Sequence, residues 1–283
     1  MLQLLLAVLC SAAMAVVLKC FRDTRGNRYG IILGNYLTCV LLSLLQTPER
    51  GALLTPHAAT LLLGTASGAI YVAGIVTLQS SIRRNGAMLT TAVSRLGLLV
   101  SLAVSIAWFG ERPDAAQLVG IALVLAAMVL IHTKRGAQTD GTELAFGLLV
   151  LTMLTNGACN AMTKVFEQLG SRSEDTAYFF WLFLTAAAIS AALGGRERRR
   201  TGKKLLLKEA AAGALVGVPN YASSYLLLRA LAHLPAFLVF PLYSACTILV
   251  VTAVSALVFR ERPGGRQVLG LCVILAAVVL LNL

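Results

Sequence analysis

Residues 71–133 lie on residues 221–283 without a gap, and between Val100 and Leu130 fifteen of thirty-one positions are identical to their partners 150 residues further on. The clearest stretch is FGERPDAAQLVGIALVLAAMVL from Phe109, answered by FRERPGGRQVLGLCVILAAVVL from Phe259. Ser105 pairs with Ser255, Glu111 with Glu261, Pro113 with Pro263, Gln117 with Gln267, Gly120 with Gly270 and Ala126-Ala127 with Ala276-Ala277. The first part of each half matches more loosely, with VLKCF at 17–21 facing MTKVF at 162–166. The chain therefore reads as two copies of one unit, 1–133 and 144–283, joined by a linker at 134–143.

Both copies consist of long apolar runs. Apolar residues make up 58% of the chain and charged ones 13%, against about 45–50% and about 25% in soluble domains. A membrane span needs roughly 20 mostly apolar residues, and ten such runs occur, at 2–19, 29–46, 57–78, 87–109, 115–132, 144–164, 177–194, 210–230, 236–258 and 266–283. Runs of this length in lipid are helices, because each backbone N–H must find its acceptor within the segment. The expected fold is an all-α polytopic membrane protein of ten transmembrane helices. Five spans per copy is an odd number, so the second copy enters the membrane from the opposite side. Such inverted repeats are typical of secondary transporters, whose binding sites lie near the midplane between the repeats. The plainer alternative is a duplication kept only for stability.

Several other classes find no support. The net charge of +12 sits almost wholly in the short gaps between runs, where it orients helices and faces anionic lipid. No aromatic and basic pattern of a nucleic-acid module accompanies it. The six cysteines (Cys10, Cys20, Cys39, Cys159, Cys246, Cys272) have no ligand-like spacing and mostly fall inside apolar runs, where a free thiol behaves as a small hydrophobe. His57, His132 and His233 stand at span ends without partner ligands, so neither a metal nor another cofactor is expected. HExxH, an intramembrane Asp pair and Gly-x-Ser-x-Gly are all missing, which argues against an enzyme. The N-terminus has no basic stretch before its apolar run and reads as a first helix.

Two five-helix halves, each closing on an FGERP-like turn and a GxxLxxAxxxL-like last helix, resemble the EamA-type branch of the drug/metabolite transporter superfamily. The resemblance covers the whole chain, and its most specific part is the duplicated Phe-x-Glu-Arg-Pro. It implies a bundle whose first four helices in each half line a central cavity, with the fifth and tenth at the periphery. It implies no particular substrate, since similar proteins move amino acids, sugars, nucleotide sugars, drugs and other metabolites.

The gaps after odd-numbered spans carry 18 Lys and Arg, those on the other side 5, and Arg95 lies within a span. By the positive-inside rule the odd gaps are cytoplasmic and both termini outside. This departs from the cytoplasmic termini that the resemblance implies. The expected location is the inner membrane of a bacterium, and a homodimer is possible.

All twelve acidic residues fall in gaps or at span ends, leaving no midspan carboxylate for a proton and a cation to compete over. Arg95 is the one charge well inside a span, roughly 12 Å along its helix at 1.5 Å per residue. Burying it costs at least ~2.5 kcal/mol. A guanidinium suits carboxylate or phosphate, so Arg95 reads either as an anchor for an anionic or zwitterionic substrate or as a side chain that snorkels to the basic face. On span six, Thr152, Asn156, Asn160 and Lys164 recur every four residues and share one face. Span eight carries Asn220 and Ser224 on one stripe and Tyr221, Tyr225 and Arg229 on the next, beside Pro219, whose missing N–H can open backbone carbonyls. These stripes either line the cavity or bond helix to helix. Tyr71, Gln79, Ser94, Ser244 and Thr247 are weaker candidates, and Asn35 and Tyr36 are undecided. Gly64 and Gly68 form a GxxxG suited to close packing. Tyr178 to Trp181 and Trp108-Phe109 sit where interface aromatics belong. The expected cargo is a small polar metabolite bearing a carboxylate, with an amino acid first. A nucleotide sugar, sugar phosphate or lipid-linked substrate is the alternative, and a non-transporting sensor or scaffold a more distant one.

Overall fold

A computed structural model describes residues 1–20, 29–47, 50–132, 145–202, 207–258, 260 and 264–281. The linker at 134–143 and the second copy of the doubled phrase, Phe259 with Glu261, Arg262 and Pro263, lie outside the described residues, as do Arg22, Arg25, Arg28, Lys203 and Lys204 of the charge count.

Every regular element among the described residues is helical: α1 (Leu2–Cys20), α2 (Tyr29–Gln46), α3 (Arg50–Leu54), α4 (Ala58–Asn85), α5 (Ala87–Arg95), α6 (Leu98–Phe109), α7 (Ala115–His132), α8 (Phe146–Leu169), α9 (Asp175–Thr201), α10 (Leu207–Leu231), α11 (Ala236–Val258) and α12 (Gly265–Leu281). Six stretches are long and apolar enough to cross a membrane: Tyr29–Gln46, Ala58–Asn85, Leu89–Phe109, Phe146–Leu169, Asp175–Thr201 and Ala236–Val258. Leu2–Leu18, Ala115–Ile131 and Gly265–Leu281 are shorter apolar helices. The tenth, α10, has its charges at the ends, in Lys208, Glu209 and Arg229.

The distribution of side chains is that of a protein solvated by lipid. Leu5, Leu41, Leu62, Leu151, Leu269 and Leu275 are exposed, while Ser43, Thr60, Ser67, Ser101 and Thr152 are fully buried. Many inward hydroxyls bond the carbonyl one turn back, as Ser43 does at Cys39 O (2.9 Å), although the buried Ser190 hydroxyl has no partner among the described residues; a leucine turned outward meets acyl chains.

The helices gather into two compact units, 1–72 with 165–229 and 73–164 with 230–283. Each draws on both sequence repeats, and each contains a pair of repeat-equivalent helices. In the second unit α7 packs on α12. A Cβ added at Gly120 would stand 2.9 Å from Leu281 Cγ and 3.3 Å from Ala277 O, and one added at Gly270 would meet Ile131 and, at 3.4 Å, Ala127 O. Subtracting 150 turns the first set of contacts into the second. This is the isologous pattern of a twofold, and the start of each helix meets the end of the other, so the equivalent helices run antiparallel, as inversion requires. In the first unit α2 and α9 are paired likewise: Tyr29 opens α2 beside Gly194 near the end of α9, and Tyr36 meets Phe183 at 5.9 Å midway. Tyr36 is thereby a core residue.

Gly64 and Gly68 face α9, where an added Cβ would lie 3.0 Å from Tyr178 O at Gly64 and 2.9 Å from Thr185 Cβ at Gly68. The equivalent Gly213 and Gly217 of α10 press on α2, at 2.8 Å from Asn35 N and 2.6 Å from Thr38 Cβ. The aromatic run at the start of α9 departs from the expectation of an interface belt. Tyr178 is fully buried, stacked on Phe166 at 3.9 Å and hydrogen-bonded to Ser67 at 2.9 Å, and Phe179 and Phe180 are buried with it. Trp108, highly exposed, and Trp181, whose Nε1 donates to Leu53 O at 2.9 Å, do fit an interface. Short α3, beneath Trp181, has no counterpart among the expected spans.

Candidate functional site

The fourth expected span, read as one helix over 87–109, is broken. α5 ends at Arg95 and α6 begins at Leu98. Across the break the hydrogen bonds shorten to the three-residue pattern: Leu96 N to Val93 O (3.0 Å), Gly97 N to Ser94 O (3.0 Å), Leu99 N to Leu96 O (2.9 Å) and Val100 N to Gly97 O (2.9 Å). Such a tightened stretch inside a helix often marks a functional site. No proline causes it. The cause is backbone contact with α8: a Cβ on Gly97 would stand 2.7 Å from Met153 O and 2.8 Å from Gly157 N, and one on Gly157 would stand 2.5 Å from Val100 Cβ. Asn156 secures the joint, its Nδ2 donating to Ser94 O at 3.0 Å and reaching the Ser94 hydroxyl.

Arg95 sits on the last residue of α5, at this break. Its side chain is exposed although it lies within a span, and it has no hydrogen bond or ion pair with a described residue; the Tyr243 phenol of α11 stands near enough to interact with it electrostatically. The backbone stays right-handed helical through Leu96 and Gly97, so the joint is a tightened turn inside a span with a charge beside it, a place where functional hinges are often found.

The other candidates divide by unit and by partner. In the unit with Arg95, Ser94 and Asn156 bind each other as described, and the Thr247 hydroxyl donates to Tyr243 O at 2.6 Å. The half-buried Asn160 and Ser244 have no partner among the described residues. Of the span-six stripe, Thr152 is buried and donates to Leu148 O within its own helix at 2.7 Å, Asn156 reaches α5, Lys164 is engaged as below, and Asn160 alone is left without a partner among the described residues. Tyr71, Asn220, Tyr221, Ser224 and Tyr225 belong to the other unit. Asn220 Nδ2 donates to Asn35 Oδ1 at 3.1 Å, which gives the undecided Asn35 an interhelical role, and Tyr221 donates to Gln46. Tyr225 accepts from Arg229 Nη2 at 2.8 Å beneath the guanidinium, while Arg229 Nε meets Asp175 Oδ2 at 3.2 Å. Ser224 and Tyr71 are half-buried. Pro219 lies inside α10 and Pro241 inside α11, yet both helices continue through them.

The first Glu-Arg-Pro turn is a fastening. Gly110, at φ 67°, ends α6 in the left-handed conformation. Asp114 Oδ1 accepts from Gln117 N at 2.8 Å and Gln117 Oε1 from Asp114 N at 3.0 Å, a reciprocal cap that starts α7; Gln267 repeats half of it on Gly264 N at 3.0 Å. The Glu111 carboxylate accepts from Ala236 N at 2.9 Å and Phe237 N at 3.1 Å, the first turn of α11, and meets Lys164 Nζ of α8 at 3.2 Å. Burial raises the Glu111 carboxyl, but the nearby Ser105 hydroxyl, the two backbone donors and the Lys164 charge outweigh it and hold it below the ordinary glutamate value. In the other unit Glu174 accepts from His57 N at 3.1 Å, meets His57 Nδ1 at 2.7 Å and accepts from Thr60. Burial again raises this carboxyl, and these hydrogen bonds with the His57 charge outweigh it, so it too stays low.

The sequence matches the EamA-like transporter family twice, over residues 1–133 and 147–283. The chain belongs to the EamA-like transporter family. It is an integral membrane protein and a membrane transporter of the drug/metabolite transporter superfamily. Among 29 similar chains of solved structures, one crystal structure aligns with a TM-score of 0.76 at 16% identity, covering 99% of this chain and 94% of its own; that likeness concerns the fold. A search of curated proteins found no match. Within this EamA-like chain, three features escaped the reading of the sequence: the break at 96–97, the facing Gly157 and the Glu111–Lys164 pair. Signals existed in Gly97 two residues after Arg95 and in Asn156-Gly157 on the polar stripe, but each becomes legible only when the two are juxtaposed.

Proposed function

We propose that this transporter carries a small polar metabolite bearing a carboxylate, an amino acid being the first expectation, and that Arg95 holds its anionic group. The observation that supports this is the unpaired, exposed guanidinium at the break in the fourth span. An arginine within a span costs several kcal/mol unless it is compensated, and no described residue compensates it, so a bound anion is its natural partner. Arg95 can grip a carboxylate with two parallel hydrogen bonds. Asn160 and Ser244, of the same unit, have no partner among the described residues and can complete recognition beside the Tyr243 phenol. The same grip suits a phosphate, which keeps a sugar phosphate, nucleotide sugar or lipid-linked substrate as the second reading.

Transport proceeds by alternating access between the inverted repeats. The expected location is the inner membrane of a bacterium, and the Lys and Arg count favours both termini outside; a C-terminal reporter active only in the cytoplasm would overturn that orientation. The substrate assignment is tested in proteoliposomes with labelled amino acids, organic acids and sugar phosphates. Arg95→Ala abolishes transport of the preferred anion without lowering the yield of folded protein. Undiminished uptake in that variant defeats the assignment.

A further inference from the structure

We propose that the clasp formed by Glu111, Lys164 and the first turn of α11 is a latch that opens and re-forms in each transport cycle. It rests on the family membership and on geometry, and is independent of the substrate assigned above.

Three helix ends converge on one carboxylate. Glu111 follows α6 after the single residue Gly110, Lys164 stands near the end of α8, and Ala236 and Phe237 open α11. Both partners are largely enclosed, with 4% of the Lys164 side chain and 12% of the Glu111 side chain exposed, and the Phe109 ring lies 6.0 Å from Lys164 Nζ. All contacts lie within one compact unit. α11 is the counterpart of α5 and α6 together, so the clasp ties the end of one repeat's fourth span to the start of the other's.

Its chemistry suits a fastening that must release. The glycine contacts between α7 and α12 are backbone against side chain and cannot part without opening a void. The clasp is polar, set at a helix end, and each of its groups can be taken up by water. Glu111 rides on an irregular turn between Gly110 and Asp114, so its carboxylate can swing away without unwinding α6 or α7. Its position also fits. The chain passes from one compact unit to the other at Lys164–Val165 and returns at Arg229–Ala230, so two of the three fastened ends adjoin a crossing.

The test is accessibility of Asn160, one turn before Lys164 on the same face of α8. Asn160→Cys is placed in a chain whose six native cysteines are alanine, the protein is reconstituted in liposomes, and a membrane-impermeant maleimide is applied to each side in turn. The intact latch gives slow labelling from the Glu111 side. Glu111→Gln and Lys164→Met each accelerate it about tenfold from that side, because opening no longer breaks a charge-assisted contact. The double variant labels no faster than the quicker single one, and Lys164→Arg, which keeps the charge, labels like the parent. Should Glu111→Gln fail to fold, the contrast between Lys164→Met and Lys164→Arg decides. Parent-like labelling in Lys164→Met together with a lowered melting temperature marks a permanent structural tie and overturns the proposal. Equal acceleration from both sides marks general loosening and overturns it as well.

Discussion

Replacing Gly157 by alanine adds one methyl group at the joint that breaks the fourth span. That Cβ would lie 2.5 Å from Val100 Cβ and against Gly97 O, where unstrained carbons sit about 3.5–4.0 Å apart. Gly97 contributes backbone, which no rotamer change can move aside, so α8 must back away by about 1 Å. Overpacking of this kind costs about 1–3 kcal/mol. The shift also stretches the Asn156–Ser94 bond, now 3.0 Å, and an interhelical bond in a membrane is worth about 0.6 kcal/mol. Against this, alanine is the better helix former by up to about 1 kcal/mol, leaving a net loss of about 1–3 kcal/mol. Gly195→Ala is the matched control, since it lies in α9, is exposed, and its added Cβ meets nothing within 4 Å; it gains the propensity without the clash. Thermal unfolding of both variants in the same detergent separates the two terms. A Gly157→Ala protein as stable as Gly195→Ala would refute the idea that backbone contact makes the break.

Further consequences follow from the charged groups. Glu111 and Glu174 are held below the ordinary glutamate value of about 4.3. A carboxyl depressed in the folded state contributes stability that is present above its unfolded pKa and lost as pH falls through its folded one. The melting temperature should thus be flat from pH 8 to about 5.5 and fall below about 4.3, with Glu111→Gln/Glu174→Gln starting lower and falling less; parallel curves for the two proteins would contradict this. Glu209 in the first turn of α10 is 1% exposed and neither of its oxygens has a partner among the described residues. Glu209→Met removes that unmet demand and should raise stability by about 1–3 kcal/mol, and a lower melting temperature would sink the reading.

The repeat, the spans and their inversion were legible because apolar length and self-similarity are properties of continuous sequence. The pairing of α7 with α12 even follows the 150-residue offset at Gly120 and Gly270. What stayed hidden depends on residues far apart in the chain. A lone Gly97 in a helical pattern is ordinarily tolerated, and it breaks the helix only because Gly157 brings a second backbone against it. Pro219 carried the visible warning of an opened helix, yet α10 absorbs it, and α11 absorbs Pro241. The polar stripes were readable as inward-facing, but a stripe does not disclose which groups are already engaged. Asn220 is bound to Asn35 and Asn156 to Ser94, whereas Arg95 has only the neighbouring Tyr243 phenol. The doubled Glu-Arg-Pro reads in sequence as a bare turn because its partner Lys164 lies over fifty residues from Glu111, on the polar stripe of α8.

The most direct test of Arg95 as the substrate's anchor is ligand-induced stabilisation. Purified protein is melted with amino acids, organic acids, sugar phosphates and nucleotides in turn, alongside Arg95→Ala. A ligand at about 100 times its dissociation constant stabilises the folded state by about 2.7 kcal/mol. At least one anionic or zwitterionic compound should raise the melting temperature of the native chain and leave Arg95→Ala unmoved, although the variant without ligand is no less stable. Equal stabilisation of both proteins by that compound, or a response confined to cations and neutral solutes, would contradict it.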